Sequence, residues 1–276
     1  MTLLIVNADD YGLTPAVSQG ILDAHRRGVV TSTSALALAP GFARCARWLD
    51  DHPELGVGVH LAAVGEDPPL LTAAEIPTLV DRRGRLAASW RQFLPRAAAG
   101  RIDPADLRRE FAAQLAAVRA ARPAPTHLDT HQHLHLWPLV GRVVLELASA
   151  EGVPAVRVTR SAARSPVGAG VRRLARRLEH AAAGAARQSP ARFAGLDEAG
   201  RLDEAALVAA LEALAGAESA EIGCHPGAGD DPDRARYRWG YSWEAELAAL
   251  CSPGVRRRVD QLGFRLGTFA ALGAAA

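Results

Sequence analysis

The sequence predicts an α/β fold on a parallel sheet, of a length that suits a single β/α barrel. Strand-like apolar runs alternate with helix-like segments along the chain, the pattern of parallel strands joined by right-handed crossovers. Three of those runs end in Asp or His at the same relative place, where the C-terminal strand ends of a barrel converge and functional groups collect. The chain has 276 residues, 49% of them apolar, enough to bury a full core as one domain over 1–276.

The first element, "LLIVNADD" (3–10), is an apolar run ending in carboxylates and reads as a buried strand with a polar C-terminal end. A helix follows at 14–28, with Thr14 as N-cap, Pro15 at the first position and Gly28 just past the end. "VVTSTSALAL" (29–38) reads as the second strand, 41–52 as a helix, and "LGVGVH" (55–60) as a third strand ending in a potential ligand. Residues 62–100 are Pro-rich and read as irregular. A helix at 104–121 starts after Asp103, with Pro104 at its first position. The histidine-rich strand 127–135 comes next, then a helix at 138–152 and the strand "AVRV" at 155–158. A helix at 203–216, the strand "AEIGCH" (220–225), a helix at 243–251 and a short strand region at 263–269 complete the alternation.

The stretch 160–192 departs from this pattern. It is rich in Ala, Gly and Arg, with Arg172, Arg173, Arg176 and Arg177 clustered. It reads as a peripheral insertion carrying a solvated basic helix; the alternatives are a lid, a homodimer contact or a contact with an anionic surface.

A formal net charge of +2 gives no case for nucleic acid as a partner. All 32 basic residues are arginine, which excludes a Schiff-base lysine and the lysine of a P-loop. Cys45, Cys224 and Cys251 form no C-x-x-C pair, so a reducing compartment without disulfides is expected. The start of the chain lacks a basic segment and its apolar run is too short for a signal peptide or a membrane span. A cytoplasmic protein without an integral membrane segment is therefore expected.

"THLDTHQHLH" (126–135) holds four of the nine histidines. In an extended conformation His127, Asp129, His131, His133 and His135 share one face, which in a barrel strand points into the mouth. Residues two apart are separated by ~6.6 Å along a strand, so neighbours in this row cannot easily chelate one ion. One histidine is expected to bind directly. The remaining ligands must come from other strand ends, where His60 and either Asp9 or Asp10 are the good candidates. Adjacent aspartates point opposite ways in a strand, so one can hold the ion while the other takes a proton from water. Taken singly, His60 would be a core histidine, "ADD" a helix cap and "CHPG" (224–227) a turn. Four such signals at strand ends in one alternating pattern point instead to a shared site. One carboxylate with two imidazoles suits zinc and, with retained waters, Mg, Mn, Co or Ni.

"IVNADDYGL" (5–13), "GVVTSTSALA" (28–37), "GVGVHL" (56–61), "PTHLDTHQHLH" (125–135) and "EIGCHPG" (221–227) resemble, in order and spacing, the YdjC/ChbG family of carbohydrate deacetylases. The resemblance spans both ends of the chain. It implies a distorted β/α barrel akin to polysaccharide deacetylases and metal-dependent removal of acetyl groups from N-acetylated sugars such as chitooligosaccharides. A related branch, HpnK, acts on a sugar-bearing hopanoid lipid. By matching position it implies Asp10, His60 and His131 as ligands of one divalent ion, Mg or Zn foremost. It implies Asp9 as general base and His225 as general acid, the latter protonating the departing amine. Thr130 and Gln132 stand where many relatives have Ser and His, which leaves the metal motif intact, while 160–192 matches nothing in the family pattern.

Asn7, the only asparagine, and His127, Asp129 and His133 are expected to support the ligands or touch substrate. In "RARYRWGYSWEAEL" (234–247), Arg236, Tyr237 and Trp239, with Tyr241 and Trp243, could meet a sugar by hydrogen bonding and ring stacking. The competing reading has these aromatics anchor the next helix. The rival functions are another metal-dependent barrel hydrolase, an amidohydrolase or a phosphoesterase, and a non-catalytic sugar- or metal-binding protein. An H-x-H usually opens the first strand of those hydrolases, and here it carries "NADD".

Overall fold

The structure, a computed structural model, describes residues 1–273. Eight strands are present among them: β1 (Thr2–Tyr11), β2 (Ser32–Ala35), β3 (Gly56–Leu61), β4 (His127–Thr130), β5 (Ala155–Val156), β6 (Arg192–Ala194), β7 (Ser219–Cys224) and β8 (Phe264–Leu266). The helices between them are α1 (Pro15–Arg27), α2 (Phe42–Cys45), α3 (Trp90–Ala98), α4 (Pro104–Ala121), α5 (Pro138–Ala150), α6 (Pro166–Gly184), α7 (Glu204–Leu214), α8 (Trp243–Leu250) and α9 (Pro253–Gln261).

Every strand pairing is parallel, in the order β5-β4-β3-β2-β1-β7-β6, with β8 against the start of β1. The sheet curls until its edges meet: the Val156 N–H of β5 donates to the carbonyl of Gln188, just ahead of β6, at 2.9 Å. The result is the expected barrel in distorted form.

Strand alternation decides what fills it. Along β1, Leu4, Val6 and Ala8 belong to the large core beneath the helices, whereas Leu3 and Ile5 pack inside with Ala155 and Phe269. Two further steps along the inward row stand Asn7 and Asp9. The neighbouring strands climb the same way, from Gly58 to His60 in β3 and from His127 to Asp129 in β4. The interior therefore has an apolar floor and a charged mouth.

Thr14 caps α1 as expected, its hydroxyl accepting from the Val17 N–H at 3.1 Å. Gly28 ends that helix for a different reason than a left-handed turn. Its φ is −118°, and a Cβ there would lie 2.3 Å from the Leu250 carbonyl oxygen, so only glycine permits the approach of α8.

Several elements differ from the sequence reading. The second strand keeps only 32–35 of 29–38, and 41–52 divides into α2 and a 3₁₀ turn. The irregular 62–100 stretch contains α3, and β6 and α9 were not anticipated. The histidine strand stops at Thr130, because Gln132 and His133 take φ of 52° and 54° and curl the chain away. His135 consequently leaves the mouth and is buried, its Nδ1 2.7 Å from the Thr130 hydroxyl.

The 160–192 stretch holds α6, which buries Ala175, Leu178 and Ala182 and packs on α5. Arg173, Arg176 and Arg177 face solvent. Arg172 instead donates to the carbonyls of Ser161 and Ala163, at 3.2 and 2.6 Å, and so holds the turn that starts the helix. Among the described residues no helix is long and apolar enough to cross a membrane.

Candidate active site

β1 delivers two carboxylates to one place by breaking its own regularity. The pairing with β2 shifts between Ala8 and Tyr11, and Asp10 takes φ of 69°. A regular strand would turn Asp9 and Asp10 to opposite faces. The left-handed residue, uncommon outside glycine but tolerated by aspartate, brings both into the same cleft.

Asp10 Oδ1 lies 3.5 Å from His60 Nε2 and 3.4 Å from His131 Nδ1. All three residues are buried, and Asp10 Oδ1 has no hydrogen-bond partner. Donor atoms at such separations can share one ion with bonds of about 2.0–2.1 Å. A buried carboxylate oxygen facing two imidazole nitrogens without a satisfying donor is the chemistry of a divalent-cation site, so the residues present fit a metal. Burial pushes the Asp10 carboxyl up, but the close approach and charge of His131, with the charges of His60 and His225, outweigh it and hold the group below its ordinary range.

His60 comes from the end of β3, in register with Asp129 of β4. Its Nδ1 is 2.8 Å from Asp129 Oδ1, which as a carboxylate requires the ring proton on Nδ1 and leaves Nε2 free to face Asp10. Burial pulls His60 down, while Asp129, with Asp9 and Asp10, outweighs this and raises it to about 9, so a cation at Nε2 would take the place of a proton.

Asp9 is clamped by the residue that follows β5. Arg157 Nη1 and Nη2 each donate to it at 2.7 Å, and Asn7 Nδ2 donates to Oδ1 at 2.8 Å. Burial raises Asp9, but the Arg157 charge overcomes this and holds the carboxyl far below the usual range. The same guanidinium reaches Asp129 at 2.6 Å through Nη1 and Glu221 at 2.6 Å through Nε. Glu221 is raised to about 8, by burial first and because Asp9 and Asp129 stand close on the same cation. Ser34 ties the set from β2: it donates to Asp129 at 2.8 Å, accepts from Asn7 at 2.9 Å and lies 3.0 Å from His127 Nε2.

The other anticipated residues divide into two groups. His133, His225 and Trp239 line the cleft, a cavity of about 660 Å³ that also reaches Asp9, Asp10, His60 and His131. His225 rests edge-on against Tyr241 with centroids 4.9 Å apart, and its Nδ1 is buried without a partner. The Trp239 ring stands 5.1 Å from that of His131. His127 lies deeper, stacked 3.7 Å over Phe269, and burial pulls it down to about 3. Arg236 and Tyr237 sit outside the lining: both bond Asp67, at 2.5 and 2.9 Å, and pin the 228–241 loop to the loop before α3.

Arg157, Ser34 and Glu221 were not singled out from the sequence. Arg157 carried a usable signal, a lone arginine within the short apolar run "AVRV". A cation at an inward strand position must find carboxylates inside the barrel.

A sequence model of the family described as YdjC-like protein matches residues 3–261. A carbohydrate deacetylase of Geobacillus stearothermophilus is 30% identical over 271 residues, covering 96% of each chain. A chitooligosaccharide deacetylase of Serratia marcescens is 32% identical, covering 97% of this chain and 98% of its own. Among solved structures, an Enterococcus faecalis V583 protein described only as a proposed cellobiose-phosphate cleavage protein superposes with a TM-score of 0.81 at 27% identity. That match covers 98% of both chains.

Proposed function

The chain belongs to the YdjC-like family, and from that membership and the site's geometry we propose that it removes the acetyl group from an N-acetylated sugar, a chitooligosaccharide or related glycoconjugate. The observation that carries this reading is the orphaned Asp10 Oδ1 facing His60 and His131, next to a second carboxylate held separately by Arg157. Asp10, His60 and His131 are the residues that would hold one divalent ion, zinc or magnesium foremost and Mn, Co or Ni as alternatives. Such an ion supplies polarisation of the acetyl carbonyl and acidification of a water molecule.

Asp9 takes the proton of the attacking water. Arg157 holds Asp9 in the carboxylate form, the form that can accept a proton, in the cleft beside Asp10, His60 and His131. Arg157 and Asn7 fix its orientation through three hydrogen bonds. His225 gives a proton to the sugar nitrogen as the carbon–nitrogen bond breaks, since the amine is too basic to leave as an anion. Trp239 and Tyr241 offer ring faces for a sugar.

A screen for acetate release over N-acetylated sugars, with diacetylchitobiose as the first substrate, tests the reading. Acetate and free amine should appear in equal amounts. Their absence with every sugar, from metal-loaded protein, would leave a binding protein rather than an enzyme.

A further inference from the structure

We propose that Arg157 is a positioning residue that steers the divalent ion onto Asp10 by filling a competing ligand triad with its own cation. This rests on the ligand set proposed above. The mouth of the barrel contains two triads that share His60. One is Asp10, His60 and His131; the other is Asp9, His60 and Asp129. In each, the donor atoms lie within 4.8 Å of one another and all three residues are buried. The second triad has two carboxylates to the first's one. On charge alone it is the stronger attractor for a divalent cation.

Arg157 reverses that preference. It is fully buried and holds both carboxylates of the second triad, Asp9 by two hydrogen bonds at 2.7 Å and Asp129 by a contact at 2.6 Å. Glu221 fixes the guanidinium from the other side at Nε. Arginine suits this post because its charge is permanent and its planar fork matches a carboxylate edge. The first triad has no such resident cation, and its Asp10 Oδ1 is left without a partner.

His60 makes the choice between triads exclusive. Its Nε2 faces Asp10 and its Nδ1 faces Asp129. A neutral imidazole has one lone pair to give. With Arg157 balancing Asp129, the proton stays on Nδ1 and Nε2 serves the Asp10 side. Without that cation, Nδ1 becomes the better ligand position, between two stranded carboxylates. Arg157 thereby also preserves Asp9 as a base, since a carboxylate bound to an ion could not take a proton from water.

The test is a double-substitution cycle read by equilibrium dialysis of zinc. In the otherwise native chain, His131→Ala should weaken zinc binding ~10-fold or more, since even losses among residues behind the ligands cost that much. In an Arg157→Met background the same substitution should cost far less, because the ion has moved to Asp9, His60 Nδ1 and Asp129. In an Arg157→Lys background, which keeps the charge, the His131 dependence should return. Equal losses from His131→Ala in the native and Arg157→Met backgrounds would overturn the proposal. Should Arg157→Met fail to fold, Arg157→Met with Glu221→Gln carries the same comparison, since it removes one stranded carboxylate and leaves the triad whole. No effect of His131→Ala in the native chain would refute the ligand set itself, a distinct result that removes this inference with it.

Discussion

Replacing Asp9 by Asn removes a charge while keeping the shape of the side chain. In the native site Oδ1 accepts from Arg157 Nη2 and Asn7, and Oδ2 accepts from Arg157 Nη1. An asparagine with its oxygen at the Oδ1 position keeps the first two bonds and turns an NH₂ toward Nη1, donor against donor. Loss of one charge-assisted bond costs about 1.5–3 kcal/mol. Part of that is offset, because Asp129 and Glu221 no longer share the guanidinium with a third carboxylate. The variant should therefore fold and melt only several degrees lower. None of the donor atoms of Asp10, His60 and His131 is touched, so metal content should be unchanged. Turnover should fall by about 10²–10⁴, the usual worth of a general base. Acetate release at saturating substrate and elemental analysis of the same preparation measure both quantities. Turnover near wild type, or loss of the metal with turnover, would refute the division of labour between the two aspartates.

Gly58→Ala should destabilise by about 1–3 kcal/mol in thermal or urea unfolding, because its Cβ would meet the His127 ring at 2.2 Å and that ring is pinned against Phe269. Glu221→Gln should change how stability responds to pH. A folded pKa raised to about 8 means that stability is fully present below the unfolded value and is lost as pH rises through 8. Wild type should lose up to about 1.4 kcal/mol per pH unit across that window relative to the variant, and parallel stability profiles would contradict this. Replacing Arg173, Arg176 and Arg177 together by Gln should leave turnover on a small N-acetylated sugar close to wild type, since all three are exposed on α6; a collapse of that turnover would place the helix in the catalytic machinery.

Much of this was legible in the sequence because strand alternation converts directly into an inward row. The inward row of His127, Asp129 and His131 and the end-of-strand position of His60 follow from period two, while the pairing of Asp129 with His60 needs the register of β3 against β4. What was not legible depends on left-handed residues. Nothing in "NADDY" announces that Asp10 adopts φ of 69°, yet that angle puts both aspartates in one cleft. Likewise Gln132 and His133 end the histidine strand early, so the row read as five side chains divides into a buried His127, a supporting Asp129, a His131 in the triad, a His133 at the cleft wall and a His135 turned away. Arg157 was hidden for another reason. Its partners lie on β1, β4 and β7, far apart in sequence, and only the curl of the sheet brings three carboxylates to one guanidinium. The aromatic segment was half legible: Trp239 lines the cleft, while Arg236 and Tyr237 are taken by Asp67, a residue 169 positions away from Arg236.

With Asp10, His60 and His131 as the proposed ligands, acetyl removal should depend on one divalent ion per chain. Stripping the protein with a chelator and titrating zinc back, while counting acetate released from diacetylchitobiose, tests it most directly. Activity should return in proportion to bound metal and reach its plateau at one ion per chain, and His131→Ala should require far more metal to approach it. Acetate release that survives complete removal of metal, or a plateau unaffected by His131→Ala, would rule out a metal held by these three residues as the source of activity.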